Sequence, residues 1–378
     1  MDRPDKDQSA LDQFDIAVVG AGIAGASIAA ELAPHARTIL IEAEDMPGYH
    51  ATGRSAAFWH ETLGGPFIQP LTRASYPVLE SGGFLKPRAS LEVADVHGVA
   101  LLDKLEAEFS GTGIGLTRLD HAGVRQWVPR AKPVLVGGLL ERVGADIDVG
   151  GLHGGVLGAF RRAGGTLATR TRIERIDRNG GAWTMHAGDR SISADIIVNA
   201  AGAWADGLAM MAGVGPVGVQ PKRRTIAQVR VATDDVPATL PLVIDIAGSY
   251  YFRPEGPNRL WLCPHDETPV DAGDAAPEDI DVATAIDRFE TVTDWKVVAV
   301  ERKWAGLRSF APDRLPVFGF DPVVPGFFWF AGQGGVGIQT APAAAVLGAA
   351  LVLGHAIPDM VAAIDPARFA PDRFGLLA

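Results

Sequence analysis

The chain has 378 residues, 47% hydrophobic and 21% charged, which is an ordinary globular composition with material for two domains. A formal net charge of −11 argues against nucleic acid and anionic membranes as partners, but leaves open an anionic substrate that meets a local Arg. The single cysteine, Cys263, excludes disulfide frameworks, thiolate metal clusters and a Cys-x-x-Cys redox pair within one chain. It follows Trp-Leu and reads as a buried thiol at a strand end.

The polar, acidic start MDRPDKDQSALDQ does not read as a signal peptide. Residues 16–25, Ile-Ala-Val-Val-Gly-Ala-Gly-Ile-Ala-Gly, read as a buried strand running into G-x-G-x-x-G. Gly20 permits the tight turn, Gly22 lets backbone approach a pyrophosphate, and Gly25 lets the following helix pack on the strand. That helix carries Ile23, Ile28 and Leu32, directs its first N–H groups at the phosphates, and stops at Pro34. A second strand, 37–42, ends on Glu42, 22 residues past Gly20. An acid there suits ribose hydroxyls and repels a 2′-phosphate.

Next comes a glycine-rich loop, 47–57, feeding a short helix with Thr52 or Ser55 as a cap. The pattern continues with a helix over 63–80, a strand over 90–100, helices over 100–108 and 151–164, and a strand over 166–176. Residues 183–187 and 190–194 suggest a hairpin. Residues 195–204 suggest a buried strand whose small end, including Ala201, Gly202 and Trp204, approaches something closely, such as the same cofactor. From 223 to about 302 the chain reads as strand-rich, with an acidic Ala/Pro loop near 270–281. The last block, 327–340, is a strand and glycine-rich turn leading into a helix. The apolar stretch 343–353 is too short to cross a bilayer and reads as a buried helix. A cytoplasmic protein with no integral membrane segment is expected. The class is mixed α/β and α+β: a Rossmann-like domain from residues 14–60, 140–215 and 312–378, interleaved with a sheet-based domain from 61–139 and 216–311.

Six segments together resemble the D-amino-acid oxidase superfamily, its D-arginine dehydrogenase branch in particular, over roughly residues 15–354. They are the fingerprint, Pro47-Gly-Tyr-His-Ala-Thr-Gly-Arg-Ser-Ala-Ala57, Val198-Asn-Ala-Ala-Gly-Ala-Trp-Ala-Asp206, Gln220-Pro-Lys-Arg-Arg-Thr225, Trp304-Ala-Gly-Leu-Arg-Ser-Phe310 and Gln333-Gly-Gly-Val-Gly-Ile-Gln-Thr340. The resemblance implies non-covalent FAD in the Rossmann-like domain and a sheet domain that covers the substrate over the flavin. It implies that Ile173 presents backbone to the adenine, and that Arg54, Ser55 and the adjoining Ala56 lie by the pyrophosphate and isoalloxazine. It places the turn of Gly334, Gly337, Ile338, Gln339 and Thr340 at the pyrimidine end of the flavin, where a helix N-terminus stabilises negative charge.

The implied reaction is hydride loss from Cα of a D-amino acid to flavin N5, followed by hydrolysis of the imine to a 2-oxo acid and ammonia. Arg308 lies in an apolar run and wants a buried anion, either a substrate carboxylate or a structural partner such as Asp313. The resemblance puts Arg308 and the Tyr251 hydroxyl on the substrate carboxylate and makes Arg224 a further active-site Arg; the alternatives are a strand tyrosine and a solvated strand start. It gives the Gly335 carbonyl to the substrate amine. No metal-ligand set is apparent, and His50 and His60 read as surface or structural.

The side-chain pocket departs from the D-arginine dehydrogenase pattern. Ser90 stands where an acid would hold the guanidinium, Phe58 replaces a histidine, Leu63 replaces a tyrosine, and Leu242 and Ile244 line the equivalent strand. A pocket without a carboxylate pairs a buried cation poorly. Neutral or apolar side chains are therefore expected to be favoured over D-Arg, unless Glu80 or Glu92 stands in for the missing acid. Glycine, sarcosine, another secondary amine or a 2-hydroxy acid are alternative substrates. The electron acceptor, whether O2, a quinone or a dye-like carrier, is not specified by these residues.

Overall fold

The computed structural model describes residues 12–375. Residues 1–11 of the polar N-terminal segment and residues 376–378, expected in the last Rossmann-like segment, lie outside the described residues. Two compact units divide the chain. One takes the residues through Gly53, Gly150–Gln220 and those from Ser309 onward; the other takes Arg54–Val149 and Pro221–Arg308. Residues 54–60 and 140–149, expected with the nucleotide segments, fall in the second unit. Their strands Phe58–Trp59 and Ala145–Ile147 pair with each other and with Leu85–Pro87 in one small sheet.

The first unit is built on the strand Asp12–Val19, which lies parallel between Arg190–Asn199 and Thr38–Ile41. Thr38–Ile41 pairs in turn with Thr166–Ala168, also parallel. The helix Ile23–Leu32 connects the first two of these strands in sequence, forming a βαβ unit. Its outer neighbour is the buried helix Ala341–Leu353, apolar all round, as a helix walled in on every side requires. Gly348 makes that fit possible: a Cβ there would lie 2.8 Å from the Phe330 ring and 2.9 Å from Ile28 Cδ1.

The second unit holds a nine-stranded sheet. Ser90–Ala94, Leu242–Asp245, Tyr251–Gly256, Arg259–Cys263 and Gln220–Val231 are consecutive neighbours in it. Alternation sorts their side chains onto two faces. Leu91, Val93, Val243, Phe252, Leu262 and Ala227 pack into the unit's main core with the helix Asp279–Val292. The opposite face carries Leu242, Ile244, Tyr251, Cys263 and Ile226, over which Phe58 packs. Among the described residues no helix is long and apolar enough to cross a membrane.

Several expectations change. The 63–80 helix is Gln69–Ser81. The 90–100 strand stops at Ala94, because Asp95 turns the chain by accepting the His97 and Gly98 amides at 2.9 Å. The 166–176 strand is two strands, Thr166–Ala168 and Arg175–Asn179. Between them Arg170, at φ +51°, and Thr171 donate their amides to the carbonyls of Glu44 and Glu42 and draw the chain off the sheet. The hairpin partner and the buried strand after it are one strand, Arg190–Asn199, paired with Ala182–Ala187 along its first half and with Phe327–Ala331 along its second. The strand-rich region contains the helix Asp279–Val292, whose buried Val282, Ala285, Phe289 and Val292 follow helical spacing. Loop 47–57 feeds only a short 3-10 turn, Thr52–Arg54.

Candidate active site

In the first unit the glycine turn is built as the fingerprint requires. Gly20 has φ +100°, and a Cβ there would sit 2.4 Å from the Ala200 carbonyl oxygen. A Cβ on Gly25 would sit 1.8 Å from the Gly20 carbonyl oxygen. The small residues ending Arg190–Asn199 thus approach the glycine turn itself: Ala200 donates its amide to the Val19 carbonyl, and Gly202 turns the chain at φ +56° into the 3-10 segment that includes Trp204. Thr52 caps neither its own segment nor a helix after it; its hydroxyl accepts the Ile23 amide at 2.9 Å. The Gly22, Ala24 and Gly25 amides have no acceptor among the described residues. These three donors at the start of a ten-residue helix form an anion cradle.

Glu42 ends the second strand with one oxygen accepting the Ala21 amide at 2.9 Å and the other the Glu44 amide at 3.0 Å, each with a lone pair to spare. His153, from the helix Val149–Arg162, lies 2.9 Å from the Ala21 carbonyl through Nε2, and burial lowers its pKa. Sequence reading missed this support, since a lone histidine inside a helix carries no signal. Ile173 is half-buried in the segment between the two split strands. The C-terminal turn is tight: Gly334, at φ +53°, donates its amide to the Ser309 carbonyl, and a Cβ there would strike the Phe310 ring at 2.4 Å. Gly335 and Gly337 are half-buried in it, Ile338 and Gln339 are buried, and the Thr340 hydroxyl donates back to the Val336 carbonyl at 2.9 Å.

The second unit holds a cationic cluster. Arg224 is buried within its strand, not solvated. Its Nε donates to the Asp266 carbonyl at 2.7 Å and Nη2 to Glu267 at 3.2 Å, while Nη1 is buried with no partner. Its neighbour Arg223 pairs instead with Asp281 at 2.9 Å and with Glu278. Arg308 makes no hydrogen bond or ion pair among the described residues. Asp313, the alternative partner, is held by Arg373 at 2.7 Å. Burial and the nearby Arg224 charge both depress the Arg308 guanidinium. Tyr251 is buried beside them, its phenol hydrogen-bonded to Cys263, and burial raises its pKa.

Cys263 is the buried strand-end thiol expected, with its pKa raised by burial. Two residues on, His265 at φ +55° packs edge-on to Tyr251 with ring centroids 5.7 Å apart. Burial, Arg224 and Arg308 push it down to about 3, so it stays neutral. Sequence reading did not single out His265; the Cys-Pro-His stop after a strand is its only local mark.

Arg54 belongs to this unit. Its guanidinium donates to the carbonyls of Ala275 at 2.8 Å and Ala305 at 3.1 Å and pairs with Asp274. With Arg223 and Lys303, which pair with Glu278 and Asp279, it pins the acidic 270–281 segment. Ser55 and Ala56 follow half-buried, with Ala56 against the Phe58 and Tyr251 cluster. Ser90 is buried, its hydroxyl 3.5 Å from His60 Nδ1. His60 is structural: with the Thr62 hydroxyl and the Glu61 amide it holds the buried Glu141 carboxylate. Leu63 is half-buried in the adjoining turn. His50, half-buried, pairs with Glu44 at 3.2 Å. Glu80 is exposed and accepts the Tyr76 hydroxyl, whereas Glu92 lies on the sheet face with Ser90 and makes no hydrogen bond or ion pair among the described residues. Among the described residues no cluster of His, Cys, Asp and Glu could hold a metal ion.

The chain is similar to known proteins along most of its length. The chain is 26% identical over 365 residues to glycine oxidase of Geobacillus kaustophilus, covering 90% of this chain and 93% of that one. The crystal structure of glycine oxidase from that organism superposes with a TM-score of 0.82 at 24% identity, covering 96% and 99%. L-proline dehydrogenase from P. horikoshii superposes with a TM-score of 0.81 at 20% identity, covering 95% and 98%. Hydrogen cyanide synthase subunit HcnC of Pseudomonas aeruginosa is 29% identical over 220 residues, 57% of this chain, and the match spans only 51% of that protein's length. The family model described as FAD dependent oxidoreductase (DAO) matches residues 15–351, and the chain belongs to that family of FAD-dependent enzymes.

Proposed function

We propose that this enzyme oxidises the Cα–N bond of an amino acid, of D configuration as the sequence resemblance implies, to an imine that water hydrolyses to a 2-oxo acid and ammonia. The observation that carries this is Arg308: a guanidinium in an apolar run, without an anion of its own, beside the Tyr251 phenol and the unpartnered Nη1 of Arg224. An α-carboxylate supplies the missing charge, and the planar fork of Arg grips both its oxygens. In this proposal the first unit holds FAD through the Gly20–Gly25 turn, the free amides of Gly22, Ala24 and Gly25, and Glu42, with Ile173, Ala201, Gly202, Trp204 and the 334–340 turn also lining the cofactor. Bound FAD supplies the two-electron acceptor. The second unit fixes the carboxylate.

Phe58, Leu242 and Ile244 on the sheet face favour a neutral side chain, and Ser90, tied toward His60, offers a guanidinium no counter-charge. Similarity to glycine oxidase over 90% of the chain favours a second reading, in which glycine, sarcosine or another small secondary amine is the substrate.

Anaerobic mixing of the holoenzyme with D-amino acids, L-amino acids, glycine, sarcosine and 2-hydroxy acids tests both. Bleaching of the flavin absorbance by D-amino acids supports the first reading, and bleaching by glycine or sarcosine alone supports the second. Bleaching only by 2-hydroxy acids overturns both. Peroxide on readmitting air identifies O2 as the acceptor.

A further inference from the structure

We propose that Glu92 reads the far end of the substrate and selects a side-chain carboxamide. This rests on the reading that Arg308 and Tyr251 hold the substrate's carboxylate. Glu92, Ile244, Tyr251 and Cys263 form one lateral row across four neighbouring strands, because Glu92 pairs with Ile244, Ile244 with Tyr251, and Tyr251 with Cys263. All four therefore project from one face. Glu92 stands two strand spacings from Tyr251, about 9.6 Å. A small amino acid held at Tyr251 would extend along the row, over the apolar Ile244, toward Glu92.

Glu92 needs a partner that the described chain does not give it. Glu141, diagonal to it on the next strand where it pairs with Ser90, already accepts the Glu61 amide at 2.7 Å and the Thr62 hydroxyl at 2.8 Å and lies 3.8 Å from His60 Nδ1. Asp245 accepts the Ser249 amide at 3.0 Å and its hydroxyl at 2.5 Å. Around Tyr250 stand Asp245, Asp95 and Glu92. No lysine or arginine is among these groups. Burial, then Glu141, then Asp245 push the Glu92 carboxyl up to about 8, so it carries a proton at neutral pH.

A protonated carboxyl is both donor and acceptor. A carboxamide is its complement: its carbonyl accepts the acid proton while its N–H donates to the acid carbonyl. An apolar side chain would leave Glu92 buried and unpaired. A cationic one would have to expel the proton, at a tenfold penalty for each pH unit below 8.

Calorimetric titration of the holoenzyme with three carboxylates of similar length tests this: glutaramate, ending in an amide; 5-methylhexanoate, ending in an apolar fork; and 5-aminopentanoate, ending in a cation. At pH 7 glutaramate is expected to bind at least fivefold more tightly than the other two, and this advantage should shrink at pH 9. Glu92→Leu should erase the difference between glutaramate and 5-methylhexanoate. Glu92→Gln, which cannot titrate, should keep a glutaramate preference that no longer varies with pH. Equal binding of glutaramate and 5-methylhexanoate by the unaltered enzyme overturns the proposal, as does tightest binding of 5-aminopentanoate at pH 7. If carboxylates bind and Arg308→Met weakens all three, but Glu92→Leu changes nothing, this proposal alone falls. If no carboxylate binds, or Arg308→Met has no effect, the carboxylate anchor falls and Glu92 with it.

Discussion

Arg308 and Arg224 share one cluster, and the charge of Arg224 is second only to burial in lowering the Arg308 guanidinium. Two like charges gathered in a half-buried site cost stability unless an anion joins them. Arg224 has Glu267 and the Asp266 carbonyl; Arg308 has neither. In the proposed function a substrate carboxylate supplies the anion that Arg308 lacks.

Replacing Arg308 by Met is expected to separate folding from function. Loss of a charge-assisted anchor should lower kcat/KM roughly 100-fold, equivalent to about 2.7 kcal/mol. The melting temperature should hold or rise, because an unpaired, half-buried charge beside Arg224 is gone. Steady-state kinetics beside a thermal melt checks both halves; a large fall in melting temperature would contradict the account.

The two glycines Gly25 and Gly207 should respond in opposite ways to Ala. A Cβ on Gly25 meets the Gly20 carbonyl oxygen at 1.8 Å, so Gly25→Ala must move the helix off its strand. It should yield protein that retains little FAD, measured as the ratio of flavin absorbance to protein absorbance. Gly207, in the helix Ala205–Met211, has nothing within 4 Å, and Gly207→Ala should stabilise by about 0.5–1 kcal/mol in a denaturant titration.

Cys263 is expected to position the Tyr251 hydroxyl. Its sulfur lies 3.2 Å from the His265 amide nitrogen and is hydrogen-bonded to the Tyr251 phenol. Cys263→Ser should keep a donor and acceptor there and raise KM about threefold or less. Cys263→Val should leave the phenol unoriented and raise KM roughly tenfold with a smaller change in kcat, on the scale of one hydrogen bond. Combining Cys263→Val with Tyr251→Phe should add little to either alone; full additivity would show that the thiol does not act through the phenol.

Two groups set the ends of the pH–stability profile. His265 has a folded pKa of about 3, below its unfolded value, so the unfolded chain binds an extra proton as pH falls from about 6.5 toward 3, and stability is lost across that window. Glu92 has a folded pKa of about 8, above its unfolded value, so the folded chain binds the extra proton between about 4.5 and 8, and stability falls as pH rises through that window. His265→Asn should flatten the acid limb and Glu92→Gln the alkaline limb of a plot of melting temperature against pH. A variant that lowers the whole curve without changing its slope would mean the group does not titrate as described.

Local pattern carried much of this in the sequence. The fingerprint from Gly20 to Glu42, the buried helix at the C-terminal end and the buried Cys263 depend on neighbours in the chain, where side-chain period and glycine placement are decisive. The mixed α/β class followed from the interleaving of such segments. Assignments failed where a partner distant in sequence decided the outcome. Thr166–Ala168 ended early because residues 42–44 drew the next amides away. Thr52 capped Ile23, 29 residues before it. The helix Asp279–Val292 buries its apolar stripe in a core assembled by seven other elements.

By itself the sequence determined a strand, glycine turn and helix followed by a strand ending on an acid in the first part of the chain, and it supplied an arginine in an apolar run whose partner it left open between a substrate carboxylate and Asp313. Only the tertiary structure decided that Arg308 is left without an anion, that Arg224 is buried and half-satisfied, and that Glu92, not Ser90, is the carboxyl-bearing position open on the sheet face. The reason is physical. Glycine spacing and strand period act through adjacent bonds, whereas the charge state of a buried group is fixed by what the fold places, or fails to place, within a few ångströms of it.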